Sequence, residues 1–373
     1  MLEQEGFSHP TYTGRRKGLD WAQVEHERGN MSDSCFPSYA IEGDFIETVD
    51  SLIFDVKGFI HPPYRVIAYL RYVPDRGGER QRHGQKFRKI YNLDERRSFL
   101  SKFCADCLYF DLVFNREMQG VPRSKILRHY DPRHKVQQMI QSSMPDRLET
   151  RSLEFLDLLK SATGLPTADF GISGSILVGL HTHASDIDLV VYGGRSGPEV
   201  AKALRTLQNE NASIRRYRPE ELWRLRESRL MFKSMNFQAF VWHERRKSLQ
   251  GFFHGSEYFV RCVRKRDESS ERYGDKRYFP LGRMTIDAVV LDDSEGIFTP
   301  SRYLINNVKI VKGFKSILPL QIVSFRGRFC EQAKSGERIL ARGRLEKVVS
   351  STEQFCQLVV GEDQDDQFIV EGH

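Results

Sequence analysis

The chain has 373 residues, more than one hydrophobic core usually organises, so two or three domains are expected. With 39% hydrophobic and 29% charged residues and aromatics throughout, the composition excludes wholesale disorder, and a formal charge of +7 suits phosphate-bearing partners as well as ordinary solubility. No run approaches the roughly 20 apolar residues of a membrane-spanning helix and the N-terminus lacks a signal peptide's basic-then-apolar order, so a cytoplasmic protein without membrane contact is expected.

Residues 1–40 mix Gly, Ser, His, Pro and charges without periodicity and read as a disordered extension, within which Met31 is an alternative start. From Asp44 the short runs FIETV, SLIFDV and YRVIAYLRYV read as strands of an N-terminal α+β domain, 41–143. A helix is expected over Asp94 to Leu108, capped by Asp94, and a helical bridge over Arg123 to Met144. The six cysteines, Cys35, Cys104, Cys107, Cys262, Cys330 and Cys356, are expected to be reduced. Cys104 and Cys107 form a lone CxxC that lacks a second ligand pair for zinc and reads as two small apolar residues of a helix.

Met144 to Gly164 carries Pro145 at its start, acids in its first turn, a spaced apolar face and a terminating glycine, all helix signals. Helices are also expected at Gly197 to Leu207 and from Pro219 to Leu230, and strands at NFQAFVW, EYFVRCV and MTIDAVVL. These make a mixed α/β domain over 144–298. From 299 to 373 five β-like runs punctuated by Gly327, Gly336, Gly343 and Gly361 suggest a small OB-like barrel. The expected fold class is therefore α/β in the α+β sense, with three units.

The chemistry concentrates in GISGSILVGLHTHASDIDLVVY, from Gly171 to Tyr192. A Gly174-Ser175 turn after a short strand lets backbone N–H groups and the Ser hydroxyl approach a phosphate. Asp186 and Asp188, two apart in an extended segment, emerge on one face and can share hard, oxygen-loving cations such as Mg²⁺. An Asp-x-Asp by itself also fits an exposed edge with its acids in water. The apolar run after Asp188 instead marks a central strand, where two acids on one face need a cation.

This combination resembles the nucleotidyltransferase superfamily whose founding fold is that of DNA polymerase beta: an hG[GS] turn, matched by Gly174 and Ser175, followed by a D-h-[DE]-h strand, matched by Asp186 and Asp188. The segments FDVKGFIHPP and IVSFRGRFCEQ extend the likeness to the uncharacterised predicted nucleotidyltransferases of archaea. The resemblance implies two Mg²⁺ ions held by carboxylates, a nucleoside triphosphate (ATP or another NTP) as substrate, and transfer of a nucleoside monophosphate to a hydroxyl of RNA, a protein or a small molecule, with loss of pyrophosphate. It also implies a third acid on a neighbouring strand. Asp287 in RMTIDAVVL is the first choice for this catalytic and metal-binding role and Glu257 the second. A regulatory protein that binds nucleotide or nucleic acid without turnover is the alternative.

Other residues have plainer readings. His181 and His183 fit a polar surface loop and stay outside the catalytic set. Arg215, Arg216, Arg218, Arg224, Arg226, Arg245, Arg246 and Lys247 can neutralise phosphates or face solvent beside Glu220, Glu221 and Glu227. Arg261 and Arg264 are placed to face the pocket. Arg326, Arg328, Arg342 and Arg344 with Phe325 and Phe329 give the barrel a basic and aromatic mixture usable for single-stranded nucleic acid.

Overall fold

A computed structural model describes residues 40–228, 235–313 and 317–371. The expected extension, apart from its last residue, and the alternative start Met31 lie outside them. The described residues form seven α-helices and three β-sheets, a mixed α+β architecture. No helix among them is long and apolar enough to cross a membrane.

The first sheet is built from β1 (Phe45–Thr48), β2 (Ile53–Val56), β3 (Arg65–Pro74), β4 (Arg80–Arg82), β5 (Gln85–Lys89), β6 (Leu108–Asp111), β7 (Arg116–Pro122) and β8 (Ile126–Tyr130). Its order is β4-β5-β3-β2-β1-β8, with β7 also on β3 and β6 on β7. The expected helix is α1 (Leu93–Phe103), but its cap is Asn92, which accepts from the amides of Asp94 and Glu95. Asp94 serves the first turn instead. The helix ends early, and Cys104 and Cys107 lie beyond it, joined as a disulfide rather than reduced. The expected bridge from Arg123 is strand β8 and then α2 (Pro132–Gln141), which Asp131 caps.

α3 (Arg147–Thr163) has the strongest local signals in the chain. Asp146 and Glu149 close a capping box, and Gly164 ends the helix in the left-handed conformation. β9 (Phe170–Ile172), α4 (Gly174–Leu177), β10 (Ile187–Tyr192), α5 (Ser196–Glu210), β11 (Ile214–Arg215), α6 (Pro219–Ser228), α7 (Phe237–Arg246), β12 (Gln250–Phe253) and β13 (Ser256–Val263) follow. Residues 229 and 230, the end of the expected Pro219 to Leu230 helix, lie outside the described residues. NFQAFVW, expected as a strand, lies in helix α7: Asn236 caps it, and Ala239, Phe240 and His243 recur at helical spacing on its buried side. Its aromatic and β-branched residues suit a strand locally, but burial of that one face against the third sheet decides for helix.

The second sheet runs β11-β12-β13-β10-β9, with β10 parallel to β13 and antiparallel to β9. Alternation along β10 gives it two destinations. Ile187, Leu189 and Val191 enter a core shared with α2, α3 and α5, whereas Val190 and Tyr192 pack with Ile41 and Val263 beside Phe59. Asp188 shares the second face, so the acids look toward the first unit.

The third sheet comprises β14 (Lys276–Asp292), β15 (Ser301–Lys312), β16 (Gln321–Ser324), β17 (Arg338–Ser350), β18 (Gln354–Val359) and β19 (Gln367–Val370). β14 also pairs with β17, closing β14, β15, β16, β18 and β17 into a ring, with β19 added outside on β17. MTIDAVVL, expected in the second unit, therefore belongs to the third. Its alternating Met284, Ile286, Ala288 and Val290 fill that core.

Candidate functional site

Gly174 begins the turn after β9 at φ +62°, a conformation that disfavours side chains. A Cβ there would overlap the carboxylate of Asp188, falling 2.7 Å from its Cγ and 2.9 Å from its Cβ. Glycine is needed twice over, for its dihedral and for this close approach. The Ser173 amide donates to the Asp188 carbonyl at 2.8 Å, and the Ser173 hydroxyl donates to the Gly43 carbonyl at 2.5 Å. Ser175 is buried at 3% exposure, yet its Oγ has no hydrogen-bond partner. Turn, acid strand and first unit thus meet at one point.

Asp186 and Asp188 are half-buried. Burial, with Asp186 beside it, pushes the Asp188 carboxyl up to about 7, while Arg261, Lys89 and Arg71 pull the other way. A carboxylate that resists ionising, next to a second acid, is the electrostatic state that a divalent cation relieves. Two hard oxygen donors and a spare hydroxyl suit Mg²⁺ in donor type.

The first unit covers this face. Burial would raise Asp55 on β2, but Lys57, Arg261 and Arg71 outweigh it and hold the carboxyl at about 2. Lys57 Nζ lies 2.7 Å from Asp55 and 3.1 Å from Glu42, and Arg261 of β13 also pairs with Glu42 and stands 4.0 Å from Asp55. The fields of Asp188 and Asp186 reach Tyr72 on β3. Arg80 lies over the Tyr72 ring, 5.6 Å from its centre, and donates to the Leu180 carbonyl at 2.7 Å, pinning the loop that leads to Asp186. From the third unit, Gly327 lies against Phe259, the residue paired with Asp188, where a Cβ would come within 2.5 Å of the ring.

The sequence-derived residues divide accordingly. Gly174, Ser175, Asp186 and Asp188 come together. Asp287 does not join them: β14 pairs with β15 and β17, and both oxygens of Asp287 are held by Arg338. The Arg338 hydrogen bond keeps its carboxyl below the ordinary value. Glu257 lies on β13, the parallel neighbour of β10, one residue before the Tyr258 that pairs with Ile187, and it accepts from the Tyr217 hydroxyl. Among the described residues, the acids here form no cluster of three within 4.8 Å; the cluster at that spacing is Cys104, Asp106 and Cys107, whose two cysteines are already disulfide-bonded.

His181 binds Asp146 at the cap of α3, 2.5 Å away, in keeping with a loop role. Arg261 faces the site as expected, whereas Arg264 pairs with Glu295. Arg215 pairs with Glu221, Arg246 with Glu337, Arg342 with Asp365 and Arg344 with Glu346 and Glu362, which neutralises much of the basic surface read from the sequence. Asp55, Arg71 and Lys89 were not singled out by sequence reasoning. The available signal was a charge inside an otherwise apolar strand, as in IFDV and RVIAYLRYV.

Against known proteins, "Uncharacterized protein MJ1086" of Methanocaldococcus jannaschii is 30% identical over 332 residues, covering 85% of this chain and 94% of that one. The chain belongs to this family. No family model matches it, and no solved structure matches. The family relationship brings no stated activity, so function rests on the site.

Proposed function

We propose that this protein is a Mg²⁺-dependent nucleotidyltransferase that moves a nucleoside monophosphate from an NTP to a hydroxyl of RNA, a protein or a small molecule and releases pyrophosphate. The observation that carries this reading is the contact of Gly174 with Asp188, which ties the phosphate-type turn to the aspartate pair. Ser175 offers a buried hydroxyl with no competing partner to a phosphate oxygen, and Asp186 and Asp188 present their carboxylates together. Mg²⁺ held by this pair would neutralise phosphate charge and activate the attacking hydroxyl. Glu257 is the third acid favoured by register, in place of Asp287.

The strand order around β10 supports a nucleotidyltransferase-type fold for the second unit, with a parallel neighbour where the third acid is expected. The ring β14-β15-β16-β18-β17, in which β16 and β18 are parallel, supports an OB-like barrel for the third. A nucleotide-binding protein without turnover is the second reading. It is favoured by Arg261, which stands on the strand next to the acids and answers Asp188 with a fixed positive charge.

The test is incubation with each labelled NTP, Mg²⁺ and total cellular RNA or protein, beside an Asp186→Asn/Asp188→Asn variant. Wild-type protein is expected to transfer label and the variant to lose transfer. Equal labelling by both would remove the catalytic assignment.

A further inference from the structure

Most cations of the first sheet have a partner. Lys57 binds Glu42 and Asp55, Arg80 binds Glu79 and the Leu180 carbonyl, Arg82 binds Glu47, and Arg88 binds Asp75 and Glu95. Arg71 and Lys89 differ. Both are half-buried, and among the described residues neither side chain forms an ion pair or hydrogen bond. Each reaches only the ring of Tyr91, at 5.7 Å for Arg71 and 4.8 Å for Lys89. Partly desolvated cations that make no direct bond to an anion are poorly satisfied, and two converging on one ring repel each other besides.

Their position says which anion would relieve this. β3 and β5 pair with Tyr72 opposite Lys89, and Tyr72 packs with Leu177, Val178 and Leu180, the residues that link the Gly174-Ser175 turn to the aspartate strand. The end of β3 and β5 therefore lies over the connection between the phosphate-type turn and the metal-type acids. Arg71 and Lys89 are also, with Arg261, the cations that act on Asp188. Arg261 is already ion-paired with Glu42, whereas the other two form no ion pair, although the charge of Arg71 also reaches Asp55.

We propose that Arg71 and Lys89 form the polyphosphate seat of this site: they bind the phosphate tail of a nucleoside triphosphate whose other side is met by Ser175 and by the cation at Asp186 and Asp188. The proposal rests on the nucleotide-binding reading above and adds to it that the first unit completes the site. A polyphosphate suits donors that come from three separate elements, β3, β5 and the turn, because it carries several anionic groups in a row, one for the cations and others for the turn and a metal. Arg71 brings a planar fork and Lys89 a compact point charge, both suited to phosphate oxygens.

The test is calorimetric titration of the full chain with inorganic tripolyphosphate without metal, which requires neither turnover nor the carboxylates. Wild-type protein is expected to bind. Lys89→Ala and Arg71→Ala/Lys89→Ala should weaken binding by about tenfold and about a hundredfold, because charge-assisted bonds to phosphate are among the strong ones. Asp186→Asn/Asp188→Asn should bind at least as tightly as wild type, since it removes neighbouring negative charge. Lys89→Ala guards against misfolding of the double variant, because Arg71 also acts on Asp55. Unchanged affinity in both cation variants, or no binding by wild type, overturns the proposal. So does loss of binding to single-stranded RNA lacking a 5′ phosphate with tripolyphosphate binding intact, which would assign these cations to a nucleic-acid backbone. A protein that passes this test and fails label transfer keeps its phosphate seat and loses only the catalytic reading.

Discussion

The string Ile-Asp-x-Val-Val occurs twice, at Ile187 to Val191 on β10 and at Ile286 to Val290 on β14. Both lie in strands, and in each the aspartate is half-buried between two buried neighbours. Their aspartates nevertheless have opposite fates. Asp188 lies under the first unit, against a turn glycine and beside a second acid, and its carboxyl is pushed up to about 7. Asp287 stands on the outside of a closed ring of strands, where Arg338 holds both oxygens and its carboxyl is held below the ordinary value. An acid in an apolar strand becomes a candidate metal ligand through what the rest of the chain sets opposite it. Strand pattern does not decide this.

Exchanging the two charges separately tests that distinction most severely. Asp186→Asn/Asp188→Asn is expected to lower label transfer by about a thousandfold or more, the scale for removing metal ligands from a metal-assisted displacement. Asp287→Asn should leave transfer unchanged, because its partner is Arg338. Rates for all three proteins with one labelled NTP check both statements, and a large loss in Asp287→Asn would break the comparison.

Glycines sharpen it next. Gly174 and Gly336, the latter in the turn before β17, both have positive φ, at +62° and +85°, but only Gly174 has an occupied volume beside it. Gly336→Ala should cost about 1 kcal/mol, the conformational penalty alone. Gly174→Ala must also displace the Asp188 carboxylate and should cost about 3 kcal/mol or more, together with metal-dependent stabilisation. Denaturant unfolding with and without Mg²⁺ measures both, and equal costs would mean that the turn does not depend on its contact with Asp188.

The same contrast explains how far the sequence could be read. The capping box at Asp146 and the αL Gly164 made α3 legible because every signal lies within a few residues. Gly174, Ser175, Asp186 and Asp188 were legible as a set for a similar reason, since one short loop separates turn and strand. The allegiance of β14 was not. Its apolar-acid-apolar pattern fits either sheet, and the choice is made by pairing with β15 and β17, the latter more than 40 positions away. The helical state of NFQAFVW was hidden because strand-like residues sit at helical spacing. Arg71 and Lys89 were hidden more deeply, since a lone cation in a strand acquires meaning only beside an acid from another unit.

The most gradual effect concerns pH, and the two aspartates should give opposite signs. Asp188 has a folded pKa of about 7 against an ordinary 3.8, so the protonated form favours folding. That stability is fully present below about pH 4 and is lost as pH rises toward and through 7. In metal-free protein, with the half-open site and nearby Arg71, Lys89 and Arg261 screening the charge, the loss should be about 2 kcal/mol between pH 4 and 8. Asp188→Asn should remove this slope and make the metal-free protein more stable at pH 8, while Mg²⁺ should stabilise wild type alone. Asp287, with its pKa lowered by the Arg338 hydrogen bond, contributes stability above the ordinary carboxylate range and loses it only as pH falls through its folded value. Asp287→Asn should therefore gain nothing at pH 8 and cost little there, being an outward-facing pair. Melting curves of the three proteins at pH 4, 6 and 8 separate these behaviours. An Asp188→Asn protein less stable than wild type at pH 8 without metal would mean that Arg71, Lys89 and Arg261 already balance the acid, with no electrostatic demand left for a cation.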